Sequence, residues 1–251
     1  MHATRKRALA NPCGPAAAKS KSGGCACVVF QSPIPLVKST SAKESILHSS
    51  CCSSLVFAGR APGDTTIDKY SYDPAEKHWR VSTVVRVTHN QLEYQLTEFH
   101  LHMGGEHTLD GHKYPVEVHF VFESANGQVL VLAWLAKPAK VSAKQATKKR
   151  AKRSTAEALS GSGVISSSSS SSFFRHLLAN KPVRIPAVGS HWNYPGSLTT
   201  PPFTKSVNWL VSSHLLQISA ADLEALKPLS KRERPLQQRE GRDIAFVAPR
   251  R

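Results

Sequence analysis

Alternating apolar and polar positions predict a series of β-strands through the middle of the chain. The predicted strands are Trp79 to Val87, Tyr94 to Met103, Val116 to Glu123, Gln128 to Leu135 and Val207 to Val211. Turn-forming residues separate them at Asp110-Gly111 and at Ala125-Asn126-Gly127. Successive strands joined by short turns predict a β-meander within a mainly β fold.

Two short segments have helical character. Ala220 to Leu226 follows Ser219, a residue type that commonly caps helix N-termini. Phe173 to Leu178 resumes apolar character after a polar stretch and predicts a second short helix. The expected fold class is therefore mainly β, of α+β type, with few short helices.

Composition divides the chain into three kinds of segment. Residues 1–27 are basic and rich in Ala and Ser, and predict a disordered tail. Residues 137–172 are rich in Lys and Arg and then in Ser, and cannot bury enough apolar surface to fold alone. We interpret them as an insertion in one domain, which comprises residues 28–136 and 173–251.

The formal net charge of +16 raises the question of nucleic-acid binding. Much of this charge is local, because Lys137 to Arg153 carries eight basic residues and no acidic one. A solvated loop is the favoured interpretation of residues 137–153. The alternatives are a nuclear localisation signal and a weak contact with a polyanion through these residues. Nucleic acid is not the expected partner. The longest apolar run, Val129 to Ala136, is too short to span a membrane.

The cysteines and the N-terminus bear on the compartment. All five cysteines precede the histidine-rich segment, at Cys13, Cys25, Cys27, Cys51 and Cys52. This odd number, with no apolar signal segment visible, favours a cytoplasmic protein. Organellar import stays open, because the first twenty residues contain Arg and Lys but no acid. A misassigned N-terminus would explain the same pattern.

Histidines on two adjacent predicted strands suggest a metal site. His100 and His102 project from one face of a strand, and a neighbouring strand could bring His119 opposite them. Three neutral imidazoles suit tetrahedral zinc and leave its fourth position for water, which is the catalytic pattern. Other interpretations are that these histidines are ordinary polar residues of a sheet, or that His100, His102 and Glu106 form a cupin metal motif. His107 is expected to make a structural hydrogen bond, and His112 lies in a turn.

Four separate motifs resemble those of the alpha-class carbonic anhydrases. They are QSPI at Gln31 to Ile34, FHLHMGGEHTLDGHKYPVEVHFV starting at Phe99, YPGSLTTPP at Tyr194 to Pro202, and RPLQ at Arg234 to Gln237. The resemblance is strong over about residues 70–136 and 190–245. It implies one domain around a large, mostly antiparallel twisted sheet with short peripheral helices. It also implies a monomeric lyase of one-carbon metabolism, in which a zinc-bound hydroxide hydrates carbon dioxide reversibly to bicarbonate.

The resemblance also implies residue roles. The zinc ligands would be His100, His102 and His119, and Glu117 would fix the His119 tautomer. Thr199 would accept a hydrogen bond from the hydroxide and donate one to Glu106, and Thr200 would line the bicarbonate side. An apolar wall would hold carbon dioxide, formed by Val121, Val131, Leu198, Val207 and Trp209.

The chain departs from the family at three points. Glu98 stands where the family usually has Gln, and its carboxylate can accept the same hydrogen bond from His100. The usual proton-shuttle segment is absent, and His78 occupies a comparable place before a strand. Phe203 replaces a cysteine of many secreted members, so that the disulfide is lost. An alternative function is therefore a catalytically impaired interaction module of the same fold.

Overall fold

The computed structural model describes residues 30–38, 55–57, 65–139 and 169–248. The predicted tail, all five cysteines and most of the basic and serine-rich segment lie outside these residues. Within them, a strand continues to Pro138 and a helix begins at Ser169. The segment predicted as an insertion at 137–172 therefore includes regular structure at both ends.

The described residues form strands of 2 to 12 residues, and only two α-helices accompany them there. The strands are β1 (Pro35–Leu36), β2 (Leu55–Phe57), β3 (Thr66–Ile67), β4 (Tyr70–Asp73), β5 (His78–Val81), β6 (Arg86–His89), β7 (Leu92–Met103), β8 (Thr108–Leu109), β9 (His112–Lys113), β10 (Val116–Ser124), β11 (Val129–Pro138), β12 (Val183–Arg184), β13 (His191–Ser197), β14 (Lys205–Ser212), β15 (Leu216–Ile218), β16 (Lys231–Arg232) and β17 (Ala245–Val247). The helices are α1 (Ser169–Leu178) and α2 (Ala220–Leu226), the latter followed by a 3-10 turn at Lys227–Leu229.

One large twisted sheet organises the domain. Its main path is β17-β13-β14-β11-β10-β7-β5-β4, and β2, β6, β15 and β16 join at its sides. Antiparallel pairs dominate, and parallel pairing occurs between β11 and β14, β11 and β15, and β7 and β16. The prediction of a large, mostly antiparallel central sheet with short helices is confirmed.

The predicted strands correspond to β7, β10, β11 and β14, with one exception. The expected strand from Trp79 to Val87 is wrong as a single element, because it divides into β5 and β6. Between them, the backbone N–H groups of Ser82 and Thr83 donate to the Lys69 carbonyl oxygen rather than to a neighbouring strand. The alternation of side chains does not reveal this change of partner.

The helices pack against one face of the sheet. Helix α2 has the predicted bounds, and Ser219 caps it by accepting a hydrogen bond from the Asp222 N–H at 3.1 Å. Helix α1 extends several residues N-terminal to the prediction and places Phe173 and Phe174 in the core. Among the described residues no helix combines the length and apolar character needed to cross a bilayer.

The two faces of β10 separate the core from the site. Val118, Phe120 and Phe122 point to a large apolar cluster with helix α1. Val121 points to the opposite face and belongs to a second cluster that includes Trp209. The period-2 alternation of a strand produces this division, as predicted. Each fully buried apolar side chain contributes about 1.5–3 kcal/mol to folding, so the sheet is a firm support for the polar groups on it.

Candidate metal centre

Strands β7 and β10 bring three histidine side chains together. His100 and His102 lie two residues apart on β7 and therefore on one face. Antiparallel pairing places His119 of β10 directly opposite His100. The three imidazole centroids lie 4.8 to 5.1 Å from one another, and all three residues are buried. The structure thus assembles the predicted trio.

The arrangement fits a zinc ion. His119 Nδ1 lies 3.3 Å from His100 Nε2. Tetrahedral zinc with bonds of about 2.0–2.1 Å to nitrogen requires ligand atoms about 3.3–3.4 Å apart. The potential ligand atoms of His100, His102 and His119 all lie within 4.8 Å of one another. His102 Nε2 is buried and has no hydrogen-bond partner in the described part of the chain, so its lone pair is available to a metal.

Each imidazole has its other nitrogen against an oxygen acceptor. The contacts are His100 Nδ1 to Glu98 Oε1 at 3.0 Å, His102 Nδ1 to the Arg232 carbonyl oxygen at 3.0 Å, and His119 Nε2 to Glu117 Oε1 at 2.9 Å. An acceptor at that position requires the facing nitrogen to carry the proton. The lone pairs are therefore left on the three nitrogens that converge.

Electrostatics keep His100 and His102 neutral. Burial lowers the pKa of both His100 and His102 well below the ordinary value, and the neighbouring imidazoles lower it further. Burial alone would raise the pKa of Glu117, but the contacts with His107 and His119 outweigh it and hold that pKa well below its usual range. The site therefore offers neutral nitrogen donors beside a fixed carboxylate, as a divalent cation requires.

A buried hydrogen-bond network supports Glu117 from behind. Its carboxylate accepts from the His107 N–H at 2.8 Å and contacts the His107 ring through Nδ1. His107 Nε2 contacts the Tyr194 hydroxyl, which in turn lies 3.1 Å from Ser32 Oγ. The prediction of a structural hydrogen bond for His107 is confirmed. The network fixes the partner of His119.

Glu106 and Thr199 meet beside the three histidines. The Thr199 side chain lies close enough to the Glu106 carboxylate to lower its pKa, and the Arg234 backbone N–H donates to Glu106 Oε1 at 2.7 Å. Burial, together with the negative charge of Glu117, raises the pKa of Glu106 to about 7. The loop containing Thr199 and the bend between β7 and β8 that contains Glu106 thus meet beside the histidines.

The cupin interpretation is wrong. Glu106 Oε1 lies 3.3 Å from His102 Nδ1, the nitrogen turned away from the metal position. Its carboxylate therefore sits on the outer side of the ring and does not join the convergent atoms. His119 supplies the third ligand atom instead.

An open cleft of about 570 Å³ begins at Thr199 and Thr200. Its other lining residues include four basic side chains and two acidic ones, so the mouth is basic on balance: Lys77, Lys231, Arg232 and Arg234 against Glu76 and Glu233. The predicted apolar wall forms one cluster on the same side of the sheet. It contains Val121, Val131, Val207 and Trp209, with Leu198 packed against it partly buried. The Trp209 ring lies 4.9 Å from the His119 ring, so the cluster adjoins the histidines.

His78 lies next to Glu98 and is buried. Its Nδ1 contacts Glu98 Oε2, and its Nε2 is buried without a hydrogen-bond partner among the described residues. Its neighbour Lys77 lines the cleft, whereas His78 is turned toward the sheet. Its predicted role as a proton shuttle remains a prediction.

Three functional groups had no recognisable sequence pattern. The Arg232 carbonyl oxygen and the Arg234 N–H are backbone groups, and any residue type could supply them. Ser32 connects the QSPI segment to the site through Ser197 and Tyr194. The motif marked Ser32 as part of a resemblance, but only the fold reveals what it contacts.

A family profile and two curated relatives identify the same family. A family profile described as eukaryotic-type carbonic anhydrase matches residues 14–246. Alpha carbonic anhydrase 5 of Arabidopsis thaliana is 26% identical over 193 residues, which is 75% of this chain and 66% of that protein. Carbonic anhydrase 5A, mitochondrial, of Homo sapiens is 28% identical over 162 residues, 54% of this chain and 47% of that protein. The chain thus spans about half to two thirds of the length of these curated relatives.

A solved structure has the same fold. Carbonic anhydrase Cah3 from Chlamydomonas reinhardtii, in complex with acetazolamide, superposes with a TM-score of 0.58 at 20% identity. The match covers 95% of this chain and 99% of that one. At this identity the likeness concerns the arrangement of the strands.

Proposed function

The chain belongs to the eukaryotic-type carbonic anhydrase family, and from that premise we propose that it is a zinc-dependent lyase. Its reaction would be the reversible hydration of carbon dioxide to bicarbonate and a proton. The observation that carries the proposal is the convergence of three imidazole nitrogens, on rings whose other nitrogens each face an oxygen acceptor. His100, His102 and His119 would hold the ion.

Zinc, when bound, supplies a Lewis acid that lowers the pKa of a bound water to about 7, a property already known for this family. The protein's part is orientation. Thr199 would donate a hydrogen bond to the Glu106 carboxylate, which leaves its oxygen lone pairs facing away from that carboxylate. It can then accept a hydrogen bond from the nucleophilic oxygen and hold it in one direction.

The apolar cluster beside the histidines supplies a place for carbon dioxide. Val121 pairs with Val131 across β10 and β11, and Val131 pairs with Trp209 across β11 and β14. The valine side chains offer no hydrogen bond, and the Trp209 indole N–H already donates to the Ser197 carbonyl oxygen at 2.9 Å, so the cluster favours a small apolar molecule over water. Thr200 lies at the cleft side, where the charged product would leave past the basic mouth.

Stopped-flow hydration of carbon dioxide, with zinc content measured on the same sample, tests the proposal. We expect about one zinc per chain, because the two groups of potential ligands among the described residues share His119, and hydration that disappears in His119→Ala. His112→Ala is the matched control, because His112 is exposed and its ring contacts only a local carbonyl oxygen. A chain that binds no zinc would refute the assignment.

An interaction module of the same fold is the alternative function. It predicts zinc binding without hydration. The intact pair of Glu106 and Thr199 favours catalysis, because a binding module has no need of an oriented hydroxyl. A weak polyanion contact through residues 137–153 is a separate prediction, to be tested by deleting that segment and measuring salt-dependent nucleic-acid binding.

Compartment and assembly are proposals as well. A cytoplasmic monomer is the sequence-based expectation, and organellar import is the alternative. The mitochondrial designation of the human relative supports testing the second. A C-terminal fluorescent fusion would report the compartment, and light scattering of the purified chain would report the mass.

A further inference from the structure

Glu98 connects two imidazoles on neighbouring strands. One carboxylate oxygen accepts from His100 Nδ1 at 3.0 Å, and the other contacts His78 Nδ1. A carboxylate is an acceptor only, so both facing nitrogens must donate. His78, Glu98 and His100 thus form a series of hydrogen-bonded side chains. His78, on β5, contacts the carboxylate that holds His100, on β7.

The packing of β5 against β7 holds the His78 side chain in place. The next residue, Trp79, is buried and stacks on Phe99 with centroids 5.4 Å apart and ring planes at 5°. Trp79 and Phe99 are also direct partners in the β5 and β7 pairing. Since side chains alternate along a strand, anchoring Trp79 in the core directs His78 to the opposite face, toward Glu98.

Glu98 needs such a restraint. Its side chain is 22% exposed, and a glutamate loses conformational entropy about several rotatable bonds when it is held in one position. By comparison, Glu117, which supports His119, is fully buried within a network of donors. His78 Nδ1 is the donor that occupies the second carboxylate oxygen of Glu98.

We propose that His78 is a positioning residue for the metal. It holds Glu98 in the orientation that keeps His100 Nδ1 protonated and His100 Nε2 directed at the ion. This inference rests on the proposed zinc site, and it assigns His78 a role different from proton shuttling. Groups that orient metal ligands typically contribute about 10–100-fold to metal affinity.

Zinc affinity, measured by competition with a chelator, tests the inference in the full chain. We expect His78→Ala to weaken zinc binding about 10-fold. His78→Asn should restore affinity to within about 3-fold, because the Asn amide can donate to Glu98 from a similar position. In a Glu98→Ala background, His78→Ala should have no further effect, since no carboxylate remains to be positioned.

The shuttle role gives the opposite pattern. It leaves zinc affinity unchanged in His78→Ala and lowers hydration turnover, which added imidazole buffer then restores. That result would overturn the inference, as would equal loss of affinity in His78→Ala and His78→Asn, or a loss that persists in the Glu98→Ala background. Wild-type chain without zinc affinity would refute the proposed function itself, whereas zinc-binding, active wild type with unaltered His78→Ala would refute only the positioning role.

Discussion

His119 lies directly across the antiparallel β7 and β10 pair from His100, with 3.3 Å between His119 Nδ1 and His100 Nε2. This pairing fixes the distance between two of the candidate metal ligands. Two backbones joined by hydrogen bonds hold the ligand atoms at the separation that zinc requires before any ion is bound.

Zinc should stabilise the folded chain strongly. Free zinc at about 1,000 times its dissociation constant stabilises a protein by about 4 kcal/mol. For a domain of this size each kcal/mol raises Tm by about 2–4 °C, so we expect a rise of about 8–16 °C in calorimetry. The His119→Ala variant should show almost none of this rise. Equal rises in both proteins would show that the metal binds elsewhere.

Removing the Thr199 hydroxyl should impair catalysis without loss of zinc. Thr199→Val keeps the side-chain shape but removes the hydroxyl that would bond to Glu106. We expect kcat/KM for hydration to fall about 100-fold, as when one oriented donor is lost from an active site. Thr200→Ser keeps a hydroxyl and serves as the control. Unchanged kinetics in Thr199→Val would contradict the orienting role.

A buried histidine pair far from the metal ligands should make stability depend on pH. Burial, with the nearby His191, lowers the pKa of His89 to about 4. The unfolded chain, with an ordinary pKa near 6.5, binds a proton more readily, so this stability is complete above about pH 6.5 and is lost as the pH falls toward 4. The expected loss from His89 is about 3 kcal/mol by pH 4.

Urea unfolding between pH 7 and pH 4 measures this effect. His89→Leu should flatten the profile, because it removes the group that must take up a proton on unfolding. His112→Gln should leave the slope unchanged, since His112 is exposed. A profile equally steep in His89→Leu would assign the acid sensitivity to other groups.

Gly196 should tolerate no side chain. A Cβ atom there would lie 2.1 Å from Ser32 Oγ and 3.1 Å from the Tyr194 ring. Gly196→Ala must therefore displace the Ser32 contacts, at a cost of about 1–3 kcal/mol in the free energy of unfolding. Gly111→Ala is a useful comparison, because a Cβ there meets open space and only the left-handed backbone is strained. Equal stability of Gly196→Ala and wild type would contradict the close packing.

The sequence was most informative where periodicity and motifs coincided. Strand alternation placed His100 and His102 on one face and suggested His119 opposite them, and the family resemblance supplied Glu106 and Thr199. Residues that act through the backbone were not predictable. The acceptor for His102 is the carbonyl oxygen of Arg232, and its position depends on the parallel pairing of β16 with β7.

The division between β5 and β6 shows a second limit. Residues 79–87 have strand-like composition throughout, yet the chain changes partners at Ser82 and Thr83. Alternation reports which face a side chain occupies and carries no information about which strand lies alongside. His78 illustrates the consequence, because its contact with Glu98 depends on β5 lying beside β7.

The parallel pairing of β11 with β14 joins residues 129–133 to residues 207–211. Closing so distant a pair is slow, because chain entropy is lost before the contact forms. The three histidines belong to an antiparallel pair much closer in sequence. We therefore expect metal binding to precede the ordering of the Thr199 loop during refolding. In pulse-labelling hydrogen exchange, the backbone amides of β7 and β10 would become protected before those of β14. Zinc would then act on this chain as a folding template as well as a reagent.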